Sequence, residues 1–104
     1  NFKLPKMYEK FLEEIKGSDE FPVGDTGVIL YEEKDLEERN LTYEVFEYEP
    51  DFFMIGQDGD MAFFIKKDSD DTIYKNGLGA LGSLEMEEVS SDIYEFIEYV
   101  KEHY

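Results

Sequence analysis

The residues of this sequence that could do chemistry are mainly carboxylates, and two acidic segments suggest a calcium site. One segment holds Asp58 and Asp60, and the other is the run 68–71. An EF-hand loop needs an oxygen ligand at its fifth position and glycine at its sixth. Counted from the start of the run, these positions hold Thr72 and Ile73, so the EF-hand pattern fails. We therefore expect ordinary acidic turns in both segments and no metal site.

Three other features could indicate catalysis, and each has a simpler explanation. Glycosidases need two carboxylates at a fixed separation, but a chain with 27 Asp and Glu residues contains such pairs by chance. The single histidine, His103, lies one residue from the end of the sequence, where exposure and fraying are expected. The glycines of 77–82 have the spacing of a dinucleotide-binding fingerprint, but no βαβ unit is predicted around them.

Cysteine is absent from the sequence, which excludes disulfides, thiolate zinc sites and cysteine nucleophiles. No catalytic, cofactor-binding or metal-ligating residue is therefore predicted, and no cofactor is expected. The chain is predicted not to be an enzyme.

The charge of the chain points to a different kind of function. Its 27 acidic and 10 basic residues give a formal net charge of −17. Such a surface repels nucleic-acid phosphates and anionic lipid headgroups and attracts basic proteins. The acids are densest between Glu32 and Asp51, where nine of them face only Lys34 and Arg39. Solubility alone could also explain an acidic composition, and the sequence leaves that alternative open.

Tyrosines accompany many of these acids, as in Tyr48-Glu49. Tyrosine offers rigid contact area and carboxylates pair with Lys or Arg, so the combination is typical of a protein-binding surface. Tyr8 and Tyr43 are instead expected in the core. The predicted contact residues for a basic protein partner are Glu32, Glu33, Asp35, Glu37, Glu38, Glu44, Glu47, Tyr48, Asp58 and Asp60.

Two amphipathic helices are predicted, one at each end of the sequence. The first begins at Leu4-Pro5 and ends at Gly17, because proline suits the first helical position and glycine a left-handed cap. The second is capped by Ser91 or Asp92. Apolar residues repeat at i, i+3, i+4 and i+7 in both, at Tyr8, Phe11, Leu12 and Ile15 and at Ile93, Phe96, Ile97 and Val100.

Between the helices, a three-stranded antiparallel meander is predicted. Its strands are Phe52–Ile55, Met61–Ile65 and Thr72–Tyr74, separated by Gly- and Asp-rich segments that favour turns. The helices must bury their stripes against this sheet, which predicts an α+β fold. Residues 1–104 are expected to form one domain, since the chain has neither repeats nor a long linker.

The remaining segments have weaker patterns. Ser18–Gly27 is predicted to be a loop, Val28–Tyr31 a strand or a buried connector, and Lys34–Asn40 a short exposed helix. Leu84–Val89 has the spacing of a short helical turn, with Met86 and Val89 inward. Residues 41–48 fit neither the strand period nor the helix period.

The order of these motifs resembles the SUKH superfamily, the Smi/Knr-type group of bacterial immunity proteins and fungal cell-wall regulators. The resemblance covers nearly the whole chain and favours helix for residues 41–48. One departure is that many members have more glycines in the turn at 56–60. The matching pieces are Leu4-Pro5-x-x-Tyr8-x-x-Phe11-Leu12, Gly27–Tyr31, Asn40, Tyr43, Pro50, residues 55–60, residues 77–82 and residues 93–97.

For bacterial members, the resemblance implies a cytoplasmic immunity protein that binds and neutralises a cognate polymorphic toxin, often a nuclease. The alternative is a regulatory or scaffolding domain without a toxin partner, as in the fungal relatives. No apolar run approaches the roughly 20 residues that span a bilayer, so a cytoplasmic location without membrane or nucleic-acid partners is expected.

Overall fold

The computed structural model describes residues 2–104. It contains one six-stranded antiparallel sheet, in which the strands lie in sequence order, and four α-helices. The predicted α+β architecture is confirmed, and the predicted three-stranded meander is part of a larger sheet that also includes a strand in the segment Val28–Tyr31. The elements are α1 (Lys6–Glu14), β1 (Glu20–Pro22), β2 (Ile29–Tyr31), α2 (Glu33–Thr42), α3 (Val45–Tyr48), β3 (Phe52–Asp58), β4 (Met61–Lys66), β5 (Ile73–Gly77), a 3-10 turn (Leu78–Ala80), β6 (Glu87–Ser90) and α4 (Ile93–His103).

Helix α1 forms where the sequence predicts it. Pro5 precedes the first turn, and the apolar stripe from Tyr8 to Ile15 is buried. Gly17 has a φ of +92°, which suits the predicted left-handed position after the helix. Proline offers no capping side chain, so a distant residue supplies the cap. The N–H of Met7 donates to Oδ1 of Asp71 at 2.8 Å.

Helix α4 is also as predicted. Asp92 is the N-cap residue, and its Oδ1 accepts the N–H of Glu95 at 2.9 Å. The carboxylate of Glu95 in turn accepts the hydroxyl of Ser91 at 2.6 Å. The first bond satisfies an N–H group that the first helical turn leaves free, and the second ties Ser91, before the helix, to that turn. The predicted stripe of α4 is buried along its whole length.

The meander of β3, β4 and β5 is confirmed, but β3 runs further than predicted. Gly56, Gln57 and Asp58 belong to the strand, and only Gly59-Asp60 form the turn. The register of β3 against β4 shifts by one residue between Met54 and Gly56, so β3 has a bulge at this point. A Cβ atom on Gly56 would lie 2.5 Å from the carbonyl oxygen of Ile29. Gly56 is therefore needed for close strand approach and not for a turn.

Two predictions for irregular segments are wrong. The loop predicted at Ser18–Gly27 contains β1, which pairs with β2 and places Pro22 on the edge of the sheet. The helical turn predicted at Leu84–Val89 is instead an irregular stretch, 84–86, followed by β6, in which Glu87 pairs with Lys75 of β5. The helical prediction was based only on the i, i+3 spacing of Met86 and Val89. Pairing with β5 has the stronger influence on the conformation of this segment, because its own sequence has little periodicity.

Residues 41–42 belong to α2 and residues 45–48 form α3, which confirms the helix favoured for most of this segment. The two helices are separate because Glu44 adopts a left-handed φ of 55° between them. Helix α2 is less exposed than predicted, since Leu36 and Asn40 are buried.

Asn40 joins α2 to the sheet at the point where β2 leaves the edge of β3. Its amide accepts the N–H of Met54 at 2.8 Å and donates to the C=O of Met54 at 3.0 Å. It also donates to the C=O of Leu36 at 2.8 Å. The fully buried side chain thus replaces a neighbouring strand for one residue of β3.

The sheet has two faces, which are covered differently. One face, here called the helical face, carries Phe53, Phe63, Ile65 and Ile73 and is packed by α1 and α4. The ring of Phe63 lies 4.8 Å from that of Phe96 in α4. The opposite side, the loop face, carries Phe52, Met54, Phe64 and Tyr74. The segment 78–86 and Tyr48 of α3 lie over the loop face.

None of the helices formed by residues 2–104 has both the length and the apolar character needed to cross a bilayer.

Candidate protein-binding site

The acids of α2 do not all share one surface. Glu33 and Glu37 are four residues apart and lie on the same side of the helix, where both are exposed. Glu32 has a different role, because it is the N-cap residue and its carboxylate accepts the N–H of Lys34 at 3.3 Å. Only 5% of Glu32 is exposed. Glu32 is therefore not available to a partner.

Glu33 and Glu37 line a groove of about 600 Å³, here called the acidic groove. Apolar side chains from the N-terminal segment, α1, α2, α3 and β3 form most of its lining. Phe46 remains 39% exposed there. The lining residues are Phe2, Leu4, Leu12, Glu33, Leu36, Glu37, Phe46, Phe53 and Lys67.

Aromatic rings in the acidic groove already hold one cation. The ammonium group of Lys67 lies 5.0 Å from the ring centre of Phe2 and 4.9 Å from that of Phe46. Phe2 also packs against Phe53, with ring centres 4.9 Å apart. Such cation–π contacts are worth about 0.5–1 kcal/mol at exposed sites. The groove therefore combines apolar area with two carboxylates, and the chain's own Lys67 already lies over two of its rings.

The other acids predicted near α2 point elsewhere. Glu38 accepts the hydroxyl of Thr42 at 2.9 Å and lies 3.9 Å from Arg39. Asp35 is half-buried in the first turn, while Glu44 and Glu47 are exposed around α3. The contact surface predicted from the sequence is thus divided by the helix, and only Glu33 and Glu37 line the acidic groove.

Asp58 and Asp60 lie at the tip of the β3–β4 hairpin, near the C-terminal end of α2. Gly59 lines the same hollow as Arg39 and Tyr43, and the C=O of Asp60 accepts the N–H of Leu78 at 2.7 Å. The hairpin tip therefore has different neighbours from Glu33 and Glu37. Tyr48, the one predicted aromatic contact, is 49% exposed and lies over the loop face.

The acidic run 68–71 fastens the N-terminal segment to the sheet. The N–H of Lys3 donates to Oδ1 of Asp68 at 2.8 Å, and Asp71 caps α1. Hydrogen bonds from Thr72 lower the pKa of Asp70. Within residues 2–104, no three His, Cys, Asp or Glu side chains are grouped so that they could hold a metal ion.

Burial keeps several tyrosines neutral over a wide pH range. Desolvation is the main cause of the raised pKa of Tyr8, and the charge of Glu33 raises it further. The hydroxyl of Tyr8 is buried with no hydrogen-bond partner among the described residues. Desolvation also raises the pKa of Tyr31, whose hydroxyl donates to Gln57. None of these groups is placed to act as a base at neutral pH.

Sequence reasoning missed the acidic groove because its lining comes from separate segments. Phe46 and Phe53 are seven residues apart, and the first turn of α2 lies close to neither in sequence. The available signal was the Phe46-Glu47-Tyr48 segment, in which large aromatics alternate with acid in a stretch without clear periodicity. Such a pattern indicates that the aromatics cannot all enter one core.

No protein-family model matches the chain, and no curated protein matches it either. The geometry and charge of the surface therefore carry the functional argument together with the resemblance in motif order.

Proposed function

We propose that this chain is a non-enzymatic protein-binding domain whose partner is a basic protein. The observation that carries the proposal is the acidic groove, whose lining includes Glu33, Glu37 and the partly exposed Phe46. Protein interfaces combine an apolar centre with a charged rim, and aromatic residues provide much of their binding energy. The groove has both features.

The proposal extends to the kind of partner. A net charge of −17 accelerates association with a basic protein by electrostatic steering. Nucleases need basic surfaces to hold phosphates, so an acidic binder can cover such a surface and block it. Together with the SUKH-like motif order, this favours a bacterial immunity protein that neutralises a cognate toxin.

Affinity capture with matched variants tests the proposal. The wild-type protein and the variant Glu33→Gln/Glu37→Gln are immobilised and exposed to a lysate of the native strain, and retained proteins are identified by mass spectrometry. The control is Glu9→Gln/Glu13→Gln, because these acids are also exposed, four residues apart and on a helix, and lie outside the acidic groove. A true partner is basic, is retained by the wild type and the control, and is depleted with the groove variant.

Expression of the captured protein in a bacterial host then decides between the two functional classes. An immunity function predicts that the captured protein arrests growth and that co-expression of the wild type restores it, while the groove variant restores it less. A captured protein that is harmless indicates instead a regulatory or scaffolding domain. Capture of nothing basic, or equal capture by all three proteins, would contradict binding through the groove.

A further inference from the structure

The loop face has a recess of its own, separate from the acidic groove. It differs from the groove in having two tyrosines in its lining. It is a cleft of about 570 Å³, here called the aromatic cleft, whose wall holds Tyr48, Phe52 and Tyr74. The rings of Phe52 and Tyr74 meet edge to face, with centres 5.2 Å apart. Leu84 lies at the margin of the cleft and is 64% exposed.

Negative charge surrounds these rings. Three carboxylates and one ammonium group, that of Lys66, line the aromatic cleft. Glu85 and Glu88 are both exposed, and Glu88 is paired with Tyr74 across β5 and β6. Burial raises the pKa of Tyr74, and the charges of Asp70 and Glu88 raise it further, so its hydroxyl stays protonated at neutral pH.

The backbone around the aromatic cleft is held in place by polar contacts. The carboxylate of Glu49 accepts the N–H of Gly82 at 2.7 Å, and buried Asn76 donates to the C=O of Leu84 at 3.1 Å. Gly82 has a φ of +80°, and a Cβ there would lie 3.4 Å from the ring of Tyr48. These contacts fix the segment that carries Leu84 and Glu85 against the aromatic wall.

We propose that the aromatic cleft binds an arginine side chain presented by a protein partner. The guanidinium group is planar, stacks on aromatic faces and is weakly hydrated, and its N–H groups donate to carboxylates. The three rings of the cleft are candidate stacking partners for the group, and the exposed carboxylates of Glu85 and Glu88 match its charge. An ammonium group is more strongly hydrated and less suited to stacking, so lysine is the weaker ligand. This proposal does not depend on the acidic groove.

Three small probes test the proposal on the isolated protein. The ¹⁵N-labelled protein is titrated with N-acetyl-arginine amide, N-acetyl-lysine amide and N-acetyl-citrulline amide, and amide shifts are followed by NMR. Citrulline has nearly the same shape as arginine but no charge. The expected result is saturable shifts at Tyr48, Gly82 and Glu88 with the arginine probe, weaker shifts there with the lysine probe and none with the citrulline probe.

Variants separate specific binding from general attraction to an acidic protein. Glu85→Gln/Glu88→Gln is expected to weaken binding of the arginine probe about fivefold, the scale of exposed ion pairs. Tyr48→Ala is expected to weaken it by a similar factor, and because Tyr48 is half exposed we expect this variant to fold. The control Glu9→Gln/Glu13→Gln removes the same charge far from the cleft lining and is expected to leave binding unchanged.

Several results would overturn the proposal. Equal shifts with the arginine and citrulline probes would show that charge is irrelevant. Shifts spread over the acids of α1, α2 and α4 would indicate diffuse attraction without a site. Equal weakening in Glu85→Gln/Glu88→Gln and in the control would mean that only total charge matters.

Discussion

The two faces of the sheet differ in how completely they are covered. On the helical face, two long helices bury their stripes, and Phe63 and Phe96 are fully buried. On the loop face, a four-residue helix and an irregular segment leave Tyr48 and Leu84 exposed and Phe52 and Tyr74 only half-buried. The acidic groove opens beside Phe53 at the margin of the helical face, where α1, α2 and α3 do not close over it.

Buried and exposed apolar residues are expected to have different roles, the first in stability and the second in binding. Apolar area removed from water by α1 and α4 stabilises the fold, at about 25 cal/mol per Å². Apolar area left exposed in a chain with a net charge of −17 does nothing for stability, and an aromatic patch with a charged rim is typical of a contact surface. We therefore expect substitutions of buried residues such as Phe96 to affect folding, and substitutions of residues exposed at the acidic groove and at the margin of the loop face to affect binding.

The largest expected effect is on the helical face. Phe96→Ala is expected to lower the free energy of unfolding by about 3–5 kcal/mol, because it leaves a cavity against Phe63. Phe11→Ala is expected to cost a similar amount, since Phe11 packs on Phe21 and Tyr94. Urea unfolding measures both values.

The comparison on the loop face is Leu84→Ala, at a residue that the irregular segment leaves exposed. Because Leu84 is 64% exposed, we expect a change within about 0.5 kcal/mol. Two results would contradict this difference. One is a decrease in unfolding free energy of less than about 1 kcal/mol for Phe96→Ala, and the other is a similar decrease for Leu84→Ala and Phe96→Ala.

A second large effect is expected at Asn40, which connects α2 to β3. Asn40→Ala leaves the N–H and C=O of Met54 buried without their partner, at a cost of about 1–3 kcal/mol for each unsatisfied group. Thr42→Ala on the same helix is the control, and its effect should be close to zero because Thr42 is exposed. Equal unfolding free energies for the two variants would show that the Asn40 bonds do not hold α2 in place.

A smaller effect concerns the contact between α1 and α4. The hydroxyl of Tyr94 donates to Glu14 at 2.6 Å, and desolvation and that carboxylate raise the pKa of Tyr94 to about 12. A raised pKa in the folded state stabilises the fold below the ordinary value near 10, and the contribution is lost as pH rises towards 12. The stability difference between the wild type and Tyr94→Phe should therefore narrow from pH 10 to pH 12.

Denaturant unfolding at pH 8, 10, 11 and 12 measures this difference. Other tyrosines titrate in both proteins, so their contribution cancels in the comparison. A difference that stays constant across the series would mean that the Tyr94–Glu14 bond does not form in solution.

The smallest effect is expected from calcium. Asp68 and Asp71 already accept backbone N–H groups of the N-terminal segment, so their carboxylates are not free to gather around an ion. Millimolar calcium and millimolar magnesium should raise Tm by the same small amount, through screening of self-repulsion. A saturable rise specific to calcium, abolished by Asp68→Ala, would contradict this prediction.

The sequence predicted the elements that have strong local patterns. Helices α1 and α4 have complete apolar stripes and clear start signals, and the central meander has apolar runs between turn residues. Strands β1 and β6 were missed because a three- or four-residue edge strand depends on its pairing partner more than on its own residues. The role of Gly56 was missed for the same reason. Glycine is needed there because the backbone of Ile29, on the neighbouring strand β2, lies too close for a side chain.

The candidate site was predictable only in part. The sequence indicated an acidic, tyrosine-rich contact surface, but it could not show that Glu32 caps a helix while Glu33 and Glu37 line a groove. The aromatic cleft combines residues from α3, β3, β5 and the segment before β6. Such recesses are set by tertiary packing, which no local pattern encodes.

Binding kinetics with the captured basic partner test the central claim most directly. Association and dissociation rates are measured over a range of salt concentrations for the wild type, Glu33→Gln/Glu37→Gln and Glu9→Gln/Glu13→Gln. Rim charges act mainly on encounter, so the groove variant should associate about fivefold more slowly at low salt, with nearly unchanged dissociation and a flatter salt dependence. The control should behave like the wild type. Equal slowing in both variants, or slowing in neither, would contradict the assignment of the acidic groove as the contact surface.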